Sequence, residues 1–310
     1  MNIQLMPDTH FQNGFTAMGL MDKTESHDPV ARLCCGHPER TPRWRLAAWC
    51  SRYSFADPTL NSVLNPAEGI YLFENPSKKV YVDTNLGMLG LDLMASRVYD
   101  RPRPDLSTPW AHLLIETDFT DMENPAPECR LCNLSSLKMS MQCRLVYFNG
   151  DRSAQDDEIH AAQFVFFLVI QNRNHASPGF GEMIWFSIPV FDNRHEMIER
   201  SIAYDVGTRA LMVSVDPHSY LNESNNFWHD GQISAGPDSP WIQVQADILS
   251  ELKEAYHQAR QRGYIPNTRF EDLYVGGMNT GWEIPGVYDA RMDIRGLRLD
   301  GVYNETSADR

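Results

Sequence analysis

The chain has 310 residues, of which 42% are hydrophobic and 22% charged, the composition of a globular protein rather than a disordered or fibrous one. The formal net charge is −14, and the sequence contains no run of basic residues. Nucleic acid is therefore disfavoured as a partner, because binding it requires clustered cations, and a strongly anionic polymer is disfavoured because the negative field repels it.

Residues 1–43 are mixed in character and rich in turn signals, among them HDP and HPERTP. We predict an irregular N-terminal arm here. The first residues have neither the basic nor the apolar region of a signal peptide, so we expect a cytoplasmic protein, or a secreted one if a leader has been removed. No apolar run reaches the length of a membrane span, so no membrane partner is expected.

Short apolar segments follow, separated by turns that contain Asn, Asp, Gly or Pro, which is typical of β-strands. Candidate strands cover 44–53, 69–74, 79–83, 89–99, 110–117, 138–148, 161–172, 183–191, 210–216, 241–246, 273–282 and 288–299. Residues 247–262 have helical spacing instead, with Asp247 placed to cap the start and Gly263 to end the helix.

A second, shorter helix is an alternative over 194–202. A dozen strands with one clear helix predict an all-β protein, an antiparallel β-sandwich of two sheets with one or two inserted helices. We assign this sandwich to one domain over 44–301, followed by a C-terminal tail over 302–310.

The six cysteines are too few for a disulfide framework in a chain of this length. Cys129 and Cys132 have the spacing of zinc ligands, but the sequence lacks a second CxxC pair to complete the site. We therefore expect buried thiols and neither a metal nor another cofactor. A structural calcium ion in an Asp-rich turn stays open as an alternative.

Side chains alternate across a strand, so a polar side chain that shares a face with an aromatic one is a candidate site residue. Over 110–116 one face carries Trp110, His112 and Glu116, whereas the other face is apolar. An aromatic ring packs on a sugar, and a carboxyl and an imidazole transfer protons. This strand predicts a sugar site with His112 and Glu116 as catalytic residues. The alternative is a solvated strand face.

Polar residues in the next strands extend this set. Gln163 and Gln171 share one face of an otherwise apolar strand that follows His160, and a buried amide there must find a partner. A cleft floor that binds a ligand and a bond to a neighbouring loop are equal alternatives. Arg144 lies on the accessible face of its strand, placed to pair with Glu116 or to bind a substrate oxygen, with a surface ion pair as the alternative.

Two further candidates lie near strand ends and in a loop. Asp192 follows the apolar run 183–191 and is a candidate second carboxylate, although an Asp there also makes an Asx turn. His229 lies in the loop FWHDG, beside two aromatic residues, and loops carry function more often than strands do.

The stretch GMNTGWEIPGVYDARMDIRGLRL, residues 277–299, predicts a hairpin that turns at Glu-Ile-Pro-Gly. In its first strand Asn279 lies between two glycines on one face, and a strip without side-chain bulk lets a ligand or another backbone approach closely. We predict that Asn279 and Glu283 form a cleft wall that faces Glu116, with Trp282 shaping the site.

The strand series resembles the concanavalin-like jelly roll of many bacterial carbohydrate-active proteins, glycoside hydrolases and polysaccharide lyases among them. The segments that carry the resemblance are WAHLLIETDF (110–119), HAAQFVFFLVIQNRN (160–174), SPGFGEMIWFSIPVFDNR (177–194) and GGMNTGWEIPGVYDARMDIRGLRL (276–299). The E-x-D-x-x-E strand of laminarinase-like hydrolases and the Gln-Ile-His strand of jelly-roll alginate lyases are absent. The resemblance thus implies a fold and a carbohydrate substrate, and it leaves the reaction open.

The first functional hypothesis is a glycoside hydrolase that acts on an oligosaccharide or polysaccharide. It requires two carboxyl groups about 5–5.5 Å apart for retention, or roughly 6.5–9.5 Å apart for inversion. The candidates are Glu116, Asp192 and Glu283.

Two alternatives use overlapping residues. A polysaccharide lyase would use His112 or His160 as the base and Arg144 with Gln163 to neutralise the uronate carboxylate. A lectin-like, non-catalytic protein would bind sugar with the same aromatic and amide side chains but without an acid/base pair.

Overall fold

A computed structural model of the protein describes residues 1–21, 26–56, 61–99, 109–150, 160–217 and 226–304, with the backbone alone for 61–64. The first half of the chain forms β1 (Asn2–Gln4), β2 (Phe15–Met18), β3 (Pro29–Leu33), β4 (Trp44–Ala47), β5 (Asn61–Asn65), β6 (Ile70–Asn75), β7 (Lys78–Asp83), β8 (Met88–Met94), β9 (Ala111–Asp118) and β10 (Leu134–Gly150). The second half forms β11 (Gln163–Asn172), β12 (Met183–Asp192), β13 (Ser201–Asp205), β14 (Ala210–Ser214), β15 (Trp228–His229), β16 (Gln232–Ile233), β17 (Ile242–Asp247), α1 (Leu249–Gln261), β18 (Leu273–Ile284) and β19 (Tyr288–Tyr303).

The strands form two large sheets. Sheet A has the order β17-β10-β19-β8-β7-β6-β5, with β1 also paired to β19. Sheet B has the order β13-β14-β12-β11-β18-β9-β4-β2-β3. Neighbouring strands are antiparallel except for the parallel pairs β12–β14 and β2–β4. This two-sheet jelly-roll sandwich confirms the all-β fold class predicted from the sequence.

The core lies between the inner faces of the two sheets, and strand alternation decides which side chains enter it. In β9, Ala111, Leu113 and Ile115 are fully buried in this core, so His112 and Glu116 fall on the opposite, outer face. The split of this strand into an apolar and a polar face is confirmed.

The predicted helix forms over Leu249–Gln261 and contacts β10 and β12. The Oδ1 atom of Asp247 accepts a hydrogen bond from the Leu249 backbone N–H at 3.2 Å, and Gly263 follows the helix with φ of +78°. Asp247 therefore binds a backbone N–H at the start of the helix and Gly263 follows its end, as the sequence predicted. The alternative second helix is wrong: residues 194–200 are not helical, and Ser201–Asp205 is strand β13.

The N-terminal segment is not the irregular arm that we expected. Strands β2 and β3 complete one edge of sheet B, and β1 pairs with β19 in sheet A. These strands are only three to five residues long, too short for a clear alternation of polar and apolar residues. At the other end, residues 302 and 303 belong to β19, and 305–310 lie outside the described residues. The sandwich thus extends beyond 44–301 on both sides.

Burial dominates the chemistry of the cysteines inside the fold. Cys35 and Cys129 are buried thiols, and burial raises the pKa of each to about 12. Within the described ranges, no three His, Cys, Asp or Glu side chains are grouped so as to hold a metal ion. No helix in this part of the chain is long and apolar enough to cross a membrane.

Candidate functional site

The outer face of sheet B carries two rows of polar and aromatic side chains, each set by the register of neighbouring strands. The first row runs across β4, β9, β18, β11 and β12 through Arg45, Glu116, Asn279, Phe167 and Ser187. The second row runs across β9, β18, β11 and β12 through His112, Glu283, Gln163 and Asp192. The fold therefore brings six of the sequence-predicted residues onto one surface: Glu116, Asn279, His112, Glu283, Gln163 and Asp192.

Glu116 lies near the centre of the first row and is only 8% exposed. Its Oε1 accepts a hydrogen bond from Arg45 Nε at 2.6 Å, and His27 Nε2 lies 3.6 Å from the same oxygen. Burial alone would raise the pKa of Glu116, but the nearby His27 imidazole together with the hydrogen bond and charge of Arg45 outweighs burial and holds the pKa below its usual range. The carboxyl group is therefore ionised at neutral pH.

Arg45 holds a second carboxylate beside the first. Its Nη1 donates to Asp118 Oδ2 at 2.6 Å, while its Nε donates to Glu116. Because neighbouring nitrogens of one guanidinium bind the two carboxylates, Glu116 and Asp118 lie close together on the surface. Burial lowers the pKa of Arg45, but the hydrogen bonds and charges of the two carboxylates raise it by more. The net shift of the pKa is upward, so the guanidinium stays protonated.

An aromatic cluster links the two rows. The indole N–H of Trp49 donates to His27 Nδ1 at 3.1 Å, and the Trp49 ring packs against the His112 ring with centroids 5.6 Å apart. His112 Nε2 in turn lies 3.5 Å from Glu283 Oε1. This cluster gives the surface a ring face of the kind that packs on a sugar, flanked by carboxylates.

Asn279 occupies the position between Glu116 and Phe167 and is 6% exposed. Its side-chain oxygen Oδ1 is buried and has no hydrogen-bond partner among the described residues. A buried acceptor without a partner costs about 1–3 kcal/mol. A ligand hydroxyl that donates to this oxygen would remove that cost.

Asp192 is occupied by protein partners. Arg194 donates to both of its carboxylate oxygens, at 2.9 and 2.7 Å, and Gln163 Nε2 donates at 2.7 Å. Burial raises the pKa of Asp192, but these hydrogen bonds and the charge of Arg194 lower it by more. The pKa of Asp192 therefore lies below its usual range. This carboxylate is 3% exposed and stabilises the end of β12.

The separation of the carboxylates bears directly on the hydrolase hypothesis. Glu283 pairs with His112, four positions before Glu116 on β9. At about 3.3 Å per residue the backbone positions are offset by about 13 Å. Glu116 and Glu283 therefore lie in different rows and are not neighbours, whereas Asp118 is bound to the same guanidinium as Glu116.

Three predicted residues lie away from this surface. Trp282 is fully buried in the core, where its indole N–H donates to Leu91 O at 2.9 Å. Trp282 lies on the inner face of β18, opposite to Asn279 and Glu283, so it does not shape the site. Arg144 lies on the outer face of sheet A, where it binds Asp293 at 2.9 Å, and the proposed contact with Glu116 is wrong.

His160 is 2% exposed, and its Nε2 accepts a hydrogen bond from the Val287 backbone N–H at 2.9 Å. The ring packs on Tyr288, with centroids 4.9 Å apart, rather than lining the surface. Because His160 and Arg144 are both elsewhere, the set of residues for a lyase built on His160, Arg144 and Gln163 is not assembled.

The other predicted binding residues lie at the margins. Trp110 is 39% exposed just before β9, and its carbonyl oxygen contacts His112 Nδ1 at 2.7 Å. Gln171 lies at the far end of β11, where its Nε2 donates to Gly181 O at 3.3 Å, the bond to a loop that the sequence left open. His229 is exposed in the β15–β16 hairpin, paired with Gln232.

The structure adds Arg45, His27, Trp49 and Asp118 to the site. The sequence could have indicated Arg45, because it lies between two apolar residues of one strand, Trp44 and Leu46. Both of these are fully buried, so Arg45 points to the outer face. His27 and Trp49 lie outside the strands, before β3 and after β4, and their positions follow from tertiary contacts that no local pattern reveals.

No family model matches this chain, and no curated protein matches it. Among solved structures, the chain is similar to the endoglucanase Cel12A from Rhodothermus marinus, with a TM-score of 0.41 and 10% identity, covering 78% of this chain and 96% of that one. A family 12 xyloglucanase from Bacillus licheniformis gives a TM-score of 0.41 and 10% identity, covering 79% and 98%. The xyloglucanase domain of NopAA from Sinorhizobium fredii, in complex with cellobiose, gives 0.38 and 8%, covering 79% and 100%. Identities this low assign no role to any residue of this chain.

Proposed function

We propose that this protein binds an oligosaccharide on the outer face of sheet B and hydrolyses a glycosidic bond there. The observation that carries the proposal is the buried Oδ1 atom of Asn279, which has no hydrogen-bond partner in the described part of the chain and lies beside the ionised carboxylate of Glu116. A sugar presents hydroxyl groups for the amide and a ring for the neighbouring aromatic cluster.

In this proposal Glu116 acts as the nucleophile or general base, since both roles require an ionised carboxylate. Arg45 and His27 keep it ionised and oriented. Asn279 binds a sugar hydroxyl, and the Trp49 ring packs against the sugar. Asp118, which binds the same guanidinium as Glu116, is the second carboxyl in this proposal and donates a proton to the leaving oxygen.

The substitution Glu116→Gln tests the reaction, because it keeps the shape of the side chain and removes the carboxylate. On a panel of neutral oligosaccharides assayed for new reducing ends, we expect turnover to fall by about 100-fold or more while sugar binding remains. The control Glu68→Gln changes an exposed carboxyl in a sheet A connection and should leave turnover unchanged. Full turnover by Glu116→Gln would show that the assignment is wrong.

A second candidate is sugar binding without turnover. It is favoured by the surroundings of Glu116: hydrolysis requires one carboxyl to donate a proton, whereas Arg45 helps to hold the pKa of Glu116 below its usual range and also forms an ion pair with the second carboxylate, Asp118. Binding by the wild-type protein with no reducing ends released from any sugar of the panel would support this candidate against hydrolysis.

A further inference from the structure

A cavity of about 600 Å³ opens next to the outer face of sheet B, which we call the sugar-binding face because the proposed function places the sugar there. Asp118, the last residue of β9, is shared between that face and the cavity, and Arg43, Asp121 and Arg173 are among the other residues that line it. The cavity therefore adjoins the position of Glu116 along the same strand.

Arg173 is a buried cation without a carboxylate partner in the described part of the chain. It is 5% exposed, its Nη1 donates to the backbone oxygen of Thr120, and its Nε has no hydrogen-bond partner there. No ion pair is formed with Asp118 or Asp121, although both line the same cavity. A buried charge that lacks a counter-charge is costly.

The surroundings of Arg173 hold its guanidinium in place. The guanidinium of Arg173 packs directly on Gly276. A side chain at that position would clash with it, because a Cβ atom there would lie 2.5 Å from Arg173 Nη2. Burial lowers the pKa of Arg173, and the nearby carboxylates of Asp118 and Asp121 oppose this shift only in part. A bound anion would supply the missing negative charge.

The shape of the donors indicates which anion fits. A guanidinium presents parallel N–H groups that match a carboxylate or a phosphate, so the anion is an oxyanion with at least two oxygens. Arg43 is exposed and adds a second cation to the cavity lining, whereas the charge of Asp118 is already matched by Arg45. The net charge of −14 disfavours a densely charged polymer, so an isolated carboxylate suits this protein best.

We propose that this cavity is a subsite for the carboxylate of a uronate unit within a largely neutral oligosaccharide, with Arg173 and Arg43 as its ligands. The proposal rests on the proposed function for the sugar-binding face, and it specifies the class of substrate.

Calorimetry with two matched probes tests this subsite. The first probe is a tetrasaccharide with one glucuronate unit, and the second is the same tetrasaccharide after reduction of that carboxyl to an alcohol. We expect the wild-type protein to bind the uronate form about tenfold more tightly or better, as for a charge-assisted contact. Equal affinity for the two forms would overturn the proposal.

Variants locate the effect. Arg173→Gln and Arg43→Gln should abolish the preference for the uronate form, and Arg43 is exposed, so its variant remains informative if Arg173→Gln fails to fold. Arg262→Gln removes the same charge from an exposed position after α1 and should keep the preference. A preference that survives Arg43→Gln and, where it folds, Arg173→Gln would contradict the proposal.

Failure of the proposed function can be told apart from failure of the subsite. If Glu116→Gln retains full turnover but the uronate preference depends on Arg43, the hydrolase assignment fails and the subsite stands. If neither tetrasaccharide binds, the same titration with sodium glucuronate decides: binding that Arg43→Gln abolishes supports the subsite, and no binding overturns it.

Discussion

At the scale of single residues, Asn279 differs from the other well-buried asparagine in the central strands of sheet B. Asn172 donates through Nδ2 to Ser177 Oγ at 2.8 Å and to Thr268 Oγ1 at 3.0 Å, so its amide is used for stability. The oxygen of Asn279 has no partner among the described residues. A buried polar group that contributes little to the fold is a group available to a ligand.

This contrast predicts different costs for the same substitution. Asn279→Ala should lower the free energy of unfolding by less than about 1 kcal/mol or raise it, because no hydrogen bond of the described structure is lost and a costly buried acceptor is removed. Asn172→Ala should cost about 2–3 kcal/mol, because it removes both of these buried hydrogen bonds and the acceptor of the Asn174 backbone N–H. Urea unfolding measures both values, and an equal loss in the two variants would contradict the interpretation of Asn279 as a ligand-binding group.

The ion pair of Glu116 predicts a pH dependence. The pKa of Glu116 in the folded protein lies below its usual range, so its ionised form stabilises the fold above the ordinary carboxyl pKa, and this stabilisation is lost as the pH falls through the folded pKa. Arg45→Gln should therefore lower stability by about 1–3 kcal/mol at pH 7, and the difference from wild type should shrink in acid.

The matched control is Arg298→Gln, which removes the partner of Asp300 in an exposed pair and should cost less than about 1 kcal/mol at any pH. Unfolding measured from pH 7 to pH 3 distinguishes the two. A cost for Arg45→Gln that stays constant over this range would mean that the pair does not control the ionisation of Glu116.

Residues of the site were predictable to the extent that strand alternation decides their face. Glu116, His112 and Asn279 share the outer face, as the sequence indicated. Trp282 was assigned to the site because it neighbours Glu283 in sequence, yet adjacent residues of a strand point to opposite faces.

At the scale of elements, β18 shows why its glycines are needed. A Cβ atom at Gly281, where φ is +149°, would lie 2.2 Å from the backbone oxygen of Leu113, and one at Gly277 would lie 2.7 Å from that of Thr117. Both oxygens belong to β9. The strip without side-chain bulk is therefore explained by the close approach of a neighbouring backbone, one of the two alternatives that the sequence left open.

This geometry makes Gly281 intolerant of a side chain. Gly281→Ala should lower the free energy of unfolding by more than about 2 kcal/mol, because both the clash and the positive φ oppose the methyl group. Gly36→Ala is the control: the nearest atom to its Cβ would be Gln12 O, at 3.8 Å, and we expect a change of less than about 1 kcal/mol. Similar melting temperatures for the two variants would contradict the described approach of β9 to β18.

Element type was predictable where a segment was long and its period clear, as in α1 and β9. It was missed for β1 to β3, β5, β13, β15 and β16, which have two to five residues each. Such strands form because a partner strand is present, and that partner can be distant in sequence, as β19 is for β1.

At the scale of the whole molecule, the sandwich has two outer faces, and alternation along a strand cannot tell them apart. Arg144 and Glu116 are both on outward positions, but Arg144 belongs to sheet A and Glu116 to sheet B, with the entire core between them. The assignment of strands to sheets depends on long-range pairing, which explains why the sequence predicted the fold class but grouped Arg144 with the wrong residues.

The two outer faces also offer different surfaces to a sugar. At sheet A, the ring of Trp241 packs with the guanidinium groups of Arg144 and Arg295, which lie 4.6 and 4.1 Å from its centroid. Those ring contacts are already made within the protein. Sheet B presents the Asn279 oxygen, which no described residue contacts through a hydrogen bond, beside Glu116, so we place the sugar there.

A crystal structure of the Glu116→Gln variant with a bound neutral tetrasaccharide tests this placement most directly. We predict a sugar ring on the outer face of sheet B, with one hydroxyl donating to Asn279 Oδ1 within about 3.2 Å and the scissile bond next to position 116. A tetrasaccharide bound instead on the outer face of sheet A, over Trp241, with Asn279 still unpartnered, would contradict the account.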